Sequence, residues 1–193
     1  GRVLAVSLGA LLLAAPPRLL GWAAAAAGVH ELGHVAAIRL LGGQVAGFHL
    51  TGVGAVLCPR RARLFSYREE GLVALAGPAA SLLLALLAAA WGRQGGGENA
   101  YLLTGLSLAL GLFNLLPAGP LDGGRILRAF LSHRVGPDAG ERVSRVLTVV
   151  LACALALPGW WVLRTNGNFT LLLCAGWLLA GLRQRDTKAL LFG

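Results

Sequence analysis

Apolar residues fall along this chain in long runs that are nearly free of charge. Six runs are apparent, and they cover about residues 3–15, 19–41, 71–91, 101–117, 145–163 and 168–182. A helix needs roughly 20 mainly apolar residues to cross a bilayer. The pattern therefore predicts an all-α polytopic membrane protein with about six transmembrane helices, of which the first and last are short for a crossing.

Two segments interrupt the helical pattern. Pro117, Gly119 and Pro120 break the fourth span, and irregular backbone at membrane depth is tolerated only inside protein or beside a wet cavity. The Gly-rich loop at 42–57 alternates weakly and can form a short β-hairpin. Such a hairpin is either a plain connection or an edge that pairs with an unwound peptide. No linker separates the runs, so residues 1–193 are expected to form a single domain.

Composition and charge agree with a membrane protein. Hydrophobic residues make up 56% of the chain and charged residues 13%, whereas soluble domains carry about 25% charged residues. The net charge of +9 is also typical of nucleic-acid binders, but the basic residues lie between the apolar runs. With a cytoplasmic N-terminus, fourteen of the 17 Lys and Arg residues lie on the cytoplasmic side and three on the other. Positive loops stay inside, so we expect cytoplasmic termini, cytoplasmic loops at 42–70 and 118–144, and no nucleic-acid partner.

The second run contains the residues that carry chemistry. It includes the sequence His30-Glu31-Leu32-Gly33-His34. Histidines at i and i+4 share one face of a helix, so both imidazoles can bind one metal ion. Glu31 lies beside them and can reach a metal-bound water as a general base. Because ionisable residues inside a membrane are costly and usually functional, the sequence predicts a hydrolytic metal site here.

The third metal ligand has to come from elsewhere in the chain. A catalytic zinc takes three protein ligands and keeps one position open. Of the eight acidic residues, Glu31 is assigned as the base, and six lie in predicted loops or at helix ends. These six are Glu69, Glu70, Glu98, Asp138, Glu141 and Asp186. One of them, Glu69, fits a capping box with Ser66. The remaining acid, Asp122, lies at the end of the fourth span and is the expected third ligand.

Three segments together resemble a known family. They are His30-Glu31-Leu32-Gly33-His34, Ala76-Gly77-Pro78-Ala79-Ala80-Ser81, and the run from Asn114 to Gly124. Their order and spacing resemble the site-2 protease family of intramembrane zinc metalloproteases over nearly the whole chain. The compact layout looks most like the bacterial group that contains the stage IV sporulation protease. At the position of Ser81, many relatives carry Asn.

The resemblance implies an intramembrane zinc metalloendopeptidase of the HExxH type that holds one zinc ion per chain. His30, His34 and Asp122 are implied as zinc ligands and Glu31 as the general base. The implied substrates are transmembrane or membrane-associated proteins, which are cut in regulated intramembrane proteolysis. The implied location is the bacterial plasma membrane, with membrane regulatory proteins as further partners. Asn114, beside the broken segment, is expected to orient the substrate or its oxyanion.

A metal-ion or proton transporter is the alternative function, because intramembrane His and acidic residues also line ion pathways. Transporters need access from both sides of the membrane and often contain internal repeats. The sequence shows no repeat and no ionisable residue in the outer half of any predicted span. The sequence therefore favours a protease. The three cysteines are too few and too scattered for a disulfide framework or a cysteine zinc site.

Overall fold

The computed structural model describes residues 16–51, 54–59 and 65–192. The first predicted span, residues 3–15, lies outside these ranges. The chain divides into two compact units, Gly1–Leu115 and Leu116–Gly193. The prediction of a single domain over 1–193 stays a prediction, and the two units are described separately.

The described residues of the first unit form three long helices and a hairpin. In chain order these are α1 (Pro17–Leu40), β1 (Val45–Thr51), β2 (Gly54–Pro59), α2 (Tyr67–Trp91) and α3 (Gly97–Asn114). Proline suits the first position of α1 because the N–H it lacks would have no helical partner there. The two strands are antiparallel and lie in the loop for which the sequence predicts a hairpin.

Small residues allow α1 and α2 to pack closely. The buried face of α2 includes Ala74, Gly77, Ser81, Ala85 and Ala88, which recur every three or four residues along the helix. On the facing helix, a Cβ added to Gly33 would lie 2.5 Å from the carbonyl oxygen of Ala76. Small residues let helix backbones approach in this way inside membranes. The contact sets how near the histidines of α1 come to α2.

The beginning and end of α2 follow from local sequence. At its beginning, the Ser66 hydroxyl accepts a hydrogen bond from the Glu69 N–H, while the Glu69 carboxylate accepts one from the Ser66 N–H. The predicted capping box is therefore confirmed. At its end, Gly92–Gly96 forms a π-helical turn in which Gly95 has a φ of 98°, a conformation that favours glycine. This turn leads directly into α3.

The second unit contains α4 (Asp122–Val135), α5 (Pro137–Asn166) and α6 (Thr170–Phe192). Gly136, with a φ of 99°, makes the one-residue connection between α4 and α5. The segment 118–144, which the sequence places between two spans on the cytoplasmic side, is therefore largely helical, and its helix includes Ile126–Arg134, whose apolar and basic faces predict an interfacial helix. The apolar and basic residues of this segment form an amphipathic helix, which has too little apolar sequence to be recognised as a span.

The described residues contain two stretches that are long and apolar enough to cross a membrane. They are Tyr67–Asn114, which includes α2 and α3, and Pro137–Asn166; Thr170–Leu182 is a shorter apolar helix. Many large side chains on these helices are exposed, including Leu86, Leu157 and Trp161. Apolar surface of this extent suits lipid better than water. The fold is that of a polytopic membrane protein, but six spans are not confirmed. One reason is that the polar residues of the His30–His34 motif lower the mean hydropathy of α1.

Candidate metal centre

The two histidines lie on the buried face of α1. Ala26, His30, His34 and Ile38 recur at intervals of four residues and are all buried. Only 5% of the surface of each histidine is exposed. Their Nε2 atoms are 3.3 Å apart. The spacing in the sequence thus predicts correctly that both imidazoles share one face of one helix.

Hydrogen bonds from α2 hold both rings. The Nδ1 atom of His34 lies 2.7 Å from the main-chain carbonyl oxygen of Val73, and the Nδ1 atom of His30 lies 2.9 Å from the Ser81 hydroxyl. A carbonyl oxygen can only accept, so Nδ1 of His34 carries a proton and donates it. In the neutral ring, Nε2 of His34 then keeps its lone pair and points towards Nε2 of His30.

Gly77 leaves room in front of the two rings. A Cβ added to this residue would lie 2.9 Å from Nε2 of His30 and even closer to Nε2 of His34. Any other residue would therefore place its Cβ against the Nε2 atoms of both rings. The sequence alone does not indicate this role for Gly77, although its position four residues before Ser81 places both residues on one face of α2.

The geometry of the histidine pair fits a zinc ion. Zinc binds imidazole nitrogen at about 2.0–2.1 Å in tetrahedral sites, which places two such nitrogens about 3.3 Å apart. The observed separation of the Nε2 atoms is 3.3 Å. Each ring also has a hydrogen-bond partner at Nδ1, as is usual for histidines that bind metal. Glu31, the proposed base, follows His30 directly in α1 and is half-buried.

Asp122 belongs to the second unit and is the first residue of α4. The sequence predicts Asp122 at the end of the fourth span, but α3 ends at Asn114 and a new helix begins at Asp122. Its surface is 7% exposed, and its Oδ1 lies 3.4 Å from Nη1 of Arg125. The N-terminus of a helix favours a negative charge.

The second unit fixes the irregular segment before Asp122. The Gly119 N–H donates a hydrogen bond of 2.7 Å to the Thr148 hydroxyl, which itself donates to the carbonyl of Ser144 on α5. A Cβ on Gly124 would collide with the carbonyl of Ala118. The break at Pro117–Pro120 is thus a defined turn, and Gly124 is required because the first turn of α4 lies against it.

Asn114, the predicted substrate-binding residue, is the last residue of α3 and is half-buried. Its Nδ2 donates a hydrogen bond of 3.0 Å to the carbonyl of Leu110, one turn earlier. The amide retains its oxygen and a second N–H for other partners. A role in substrate binding stays a prediction.

Comparison with known proteins places the chain in a family. The sequence profile of peptidase family M50 matches residues 92–157. The solved structure of a site-2 protease from Methanocaldococcus jannaschii superposes with a TM-score of 0.74 at 25% identity, over 94% of this chain and 87% of the other. The chain belongs to the site-2 protease family. The family resemblance inferred from the sequence is confirmed, while the closer likeness to the sporulation group stays a prediction.

Two curated relatives in this family carry related sequences. Rip3 of Mycobacterium tuberculosis is 33% identical over 175 residues, which cover 82% of this chain and 43% of that protein. A zinc metalloprotease of Methanocaldococcus jannaschii is 32% identical over 138 residues, covering 68% of this chain and 39% of the relative. The chain thus spans less than half the length of these relatives.

Two imidazoles and a carboxylate, all buried, form a donor set that fits zinc.

Proposed function

We propose that this chain is an intramembrane zinc metalloendopeptidase of the HExxH type that cleaves transmembrane or membrane-associated proteins. The observation that carries the proposal is the pair of buried Nε2 atoms, 3.3 Å apart, on an apolar helix. Such a pair has no structural need in a membrane helix, and ionisable groups there are usually functional. Zinc metalloproteases among the relatives support the same chemistry.

His30, His34 and Asp122 are the proposed zinc ligands. When bound, zinc would polarise the scissile carbonyl and make water a stronger acid. Glu31 is the proposed general base: its carboxylate takes a proton from the attacking water and then gives it to the nitrogen of the leaving amine. The burial of both histidines limits competing water at the site and strengthens its electrostatic interactions.

The substrate has to be unwound locally before it is cut, because the amides of a helix are engaged in hydrogen bonds. The hairpin of β1 and β2 has two strands only, so each strand has a free edge within the described sheet. We propose that an extended substrate segment pairs with one of these edges. Asn114 is proposed to orient the substrate or its oxyanion through the amide atoms that its bond to Leu110 leaves available.

The proposed location is the bacterial plasma membrane, with both termini cytoplasmic and with membrane regulatory proteins as partners. The excess of Lys and Arg on one side of the predicted spans supports the orientation. No observation on the described residues favours the transporter alternative.

A cleavage assay with single-span candidate substrates tests the proposal. The purified protein in lipid should cleave at least one candidate, a chelator should stop cleavage, and added zinc should restore it. Glu31→Gln should lower the cleavage rate by at least about 100-fold, because general acid–base catalysis contributes about 10²–10⁴-fold. It should also retain zinc, since Glu31 acts on water. Asp138→Asn, a matched change at an exposed acid, should cleave normally. Rapid turnover by Glu31→Gln would refute the assignment of the base.

A further inference from the structure

Ser81 contacts a proposed metal ligand from the neighbouring helix. Its hydroxyl oxygen lies 2.9 Å from Nδ1 of His30, and the residue is completely buried. It lies one turn after Gly77 on the face of α2 that packs against the histidines. A Cβ added to Gly111 of α3 would lie 3.2 Å from Cβ of Ser81. Ser81 is therefore held in place between α1 and α3.

The two histidines are held by different kinds of partner. The carbonyl of Val73 only accepts, so it fixes both the orientation and the protonated nitrogen of His34. The hydroxyl of Ser81 can donate or accept, so it fixes the orientation of the His30 ring in either tautomer. When a metal ion binds Nε2 of a neutral imidazole, the ring proton is on Nδ1. The Ser81 hydroxyl oxygen can then accept a hydrogen bond from the Nδ1–H of His30 without moving.

We propose that Ser81 is a positioning residue for zinc: it holds the His30 ring so that Nε2 faces Nε2 of His34. The proposal rests on the proposed zinc site. Close packing of α2 on α1 does not itself require a hydroxyl, because the same face of α2 is otherwise lined by small residues such as Ala74 and Ala85. Since Ser81 is fully buried, water cannot replace its hydroxyl when the side chain is shortened to alanine.

The chain offers a matched control in Ser107 on α3. Ser107 is also fully buried, and its hydroxyl has no hydrogen-bond partner among the described residues. Ser81→Ala and Ser107→Ala remove the same atom at the same burial in adjacent helices. Only the first change removes a hydrogen bond to a histidine.

The test is zinc affinity, measured by competition with a chromophoric chelator in detergent. Ser81→Ala should weaken zinc binding by about 10–100-fold, the usual effect of removing an outer partner of a metal ligand. Ser107→Ala should bind zinc as the wild type does. Thermal unfolding of both variants checks that they fold. Wild-type affinity in folded Ser81→Ala would overturn the proposal, as would an equal loss in both variants.

A second measurement uses the wild-type protein, so that it does not depend on the folding of a variant. In the zinc-loaded protein with ¹⁵N-labelled histidine, the proton on Nδ1 of His30 should be visible by NMR and protected from exchange with water. A rapidly exchanging proton at this nitrogen would contradict the bond to Ser81. If the wild type binds no zinc at all, the proposed function fails. If the wild type binds zinc through His30 and removal of the Ser81 hydroxyl does not change the zinc affinity, only the role of Ser81 is refuted.

Discussion

Gly77 determines how much space lies in front of the two histidine rings. An alanine methyl group there would lie against the Nε2 atoms of both rings. The neighbouring Ala76 carbonyl lies against Gly33 of α1, so α2 cannot move away to make room without separating the two helices. The smallest residue at this position is therefore a requirement of the metal centre itself.

Gly77→Ala should abolish zinc binding while the protein still inserts into membranes. The added methyl group competes with the ion for the same space, and tightly packed interiors transmit such a strain rather than absorb it. Metal analysis of the purified variant measures the outcome. Gly105→Ala is the control, because a Cβ on Gly105 meets nothing within 4 Å. Full zinc occupancy in Gly77→Ala would show that the ion lies elsewhere.

Among the secondary-structure elements, helices can be predicted from apolar runs and capping residues in the sequence. The contacts between helices are harder to predict. The span expected at 71–91 is α2, Tyr67–Trp91, and its beginning at the Ser66 cap follows from sequence alone. For α4, the sequence predicts an interfacial helix at Ile126–Arg134 but not its beginning at Asp122, because Gly123 and Gly124 have low helix propensity. Packing of Gly124 on the Ala118 carbonyl favours that helix, and such a contact is visible only in three dimensions.

In the metal centre, too, features set by nearby residues can be predicted from the sequence, whereas contacts between distant residues cannot. The four-residue interval between His30 and His34 is a local property, and it predicts a shared helix face correctly. The bonds of these rings to Ser81 and Val73 join residues far apart in sequence. They depend on the register between α1 and α2, which a single sequence does not reveal. The role of Asp122 as third ligand remains an inference from its chemistry.

The close packing of α1 on α2 can be tested at Gly33. A Cβ there would lie 2.5 Å from the Ala76 carbonyl oxygen and 2.8 Å from Cβ of Ala80. Gly33→Ala should therefore destabilise the protein by about 1–3 kcal/mol, the usual effect of overpacking. Unfolding of the detergent-solubilised protein, followed by circular dichroism, measures the change.

Gly28→Ala in the same helix is the matched control. A Cβ at Gly28 meets nothing within 4 Å, and alanine is favoured over glycine in helices by about 0.5–1 kcal/mol. This variant should be as stable as the wild type or slightly more stable. If Gly33→Ala were equally well tolerated, the two helices would not be in the close contact described.

At the scale of the whole molecule, the bias of Lys and Arg predicts the orientation in the membrane. Gln94, in the turn between α2 and α3, and Asp138, at the beginning of α5, are both exposed. With the three native cysteines replaced, Gln94→Cys should react with an impermeant thiol reagent on intact cells. Asp138→Cys should react only after the membrane is opened. The reverse pattern would invert the topology, although the histidine pair would be unaffected because it depends on helix spacing.

We propose Asp122 as the third zinc ligand beside His30 and His34. One zinc ion with three protein ligands leaves a position open for chemistry, whereas two histidines alone would hold zinc weakly. The acid that completes the set is Asp122, buried at the start of α4. Removing its carboxylate should therefore empty the site.

Zinc content per chain, measured on wild-type protein and on Asp122→Ala purified in parallel, tests this claim most directly. We expect about one zinc ion per chain in the wild type, since three ligands form one site. We expect far less than one in Asp122→Ala and an unchanged content in Asp138→Ala, a substitution at an exposed acid in the same unit. Full zinc occupancy in Asp122→Ala would contradict this ligand set, because the histidines of α1 would then hold the ion without the Asp122 carboxylate.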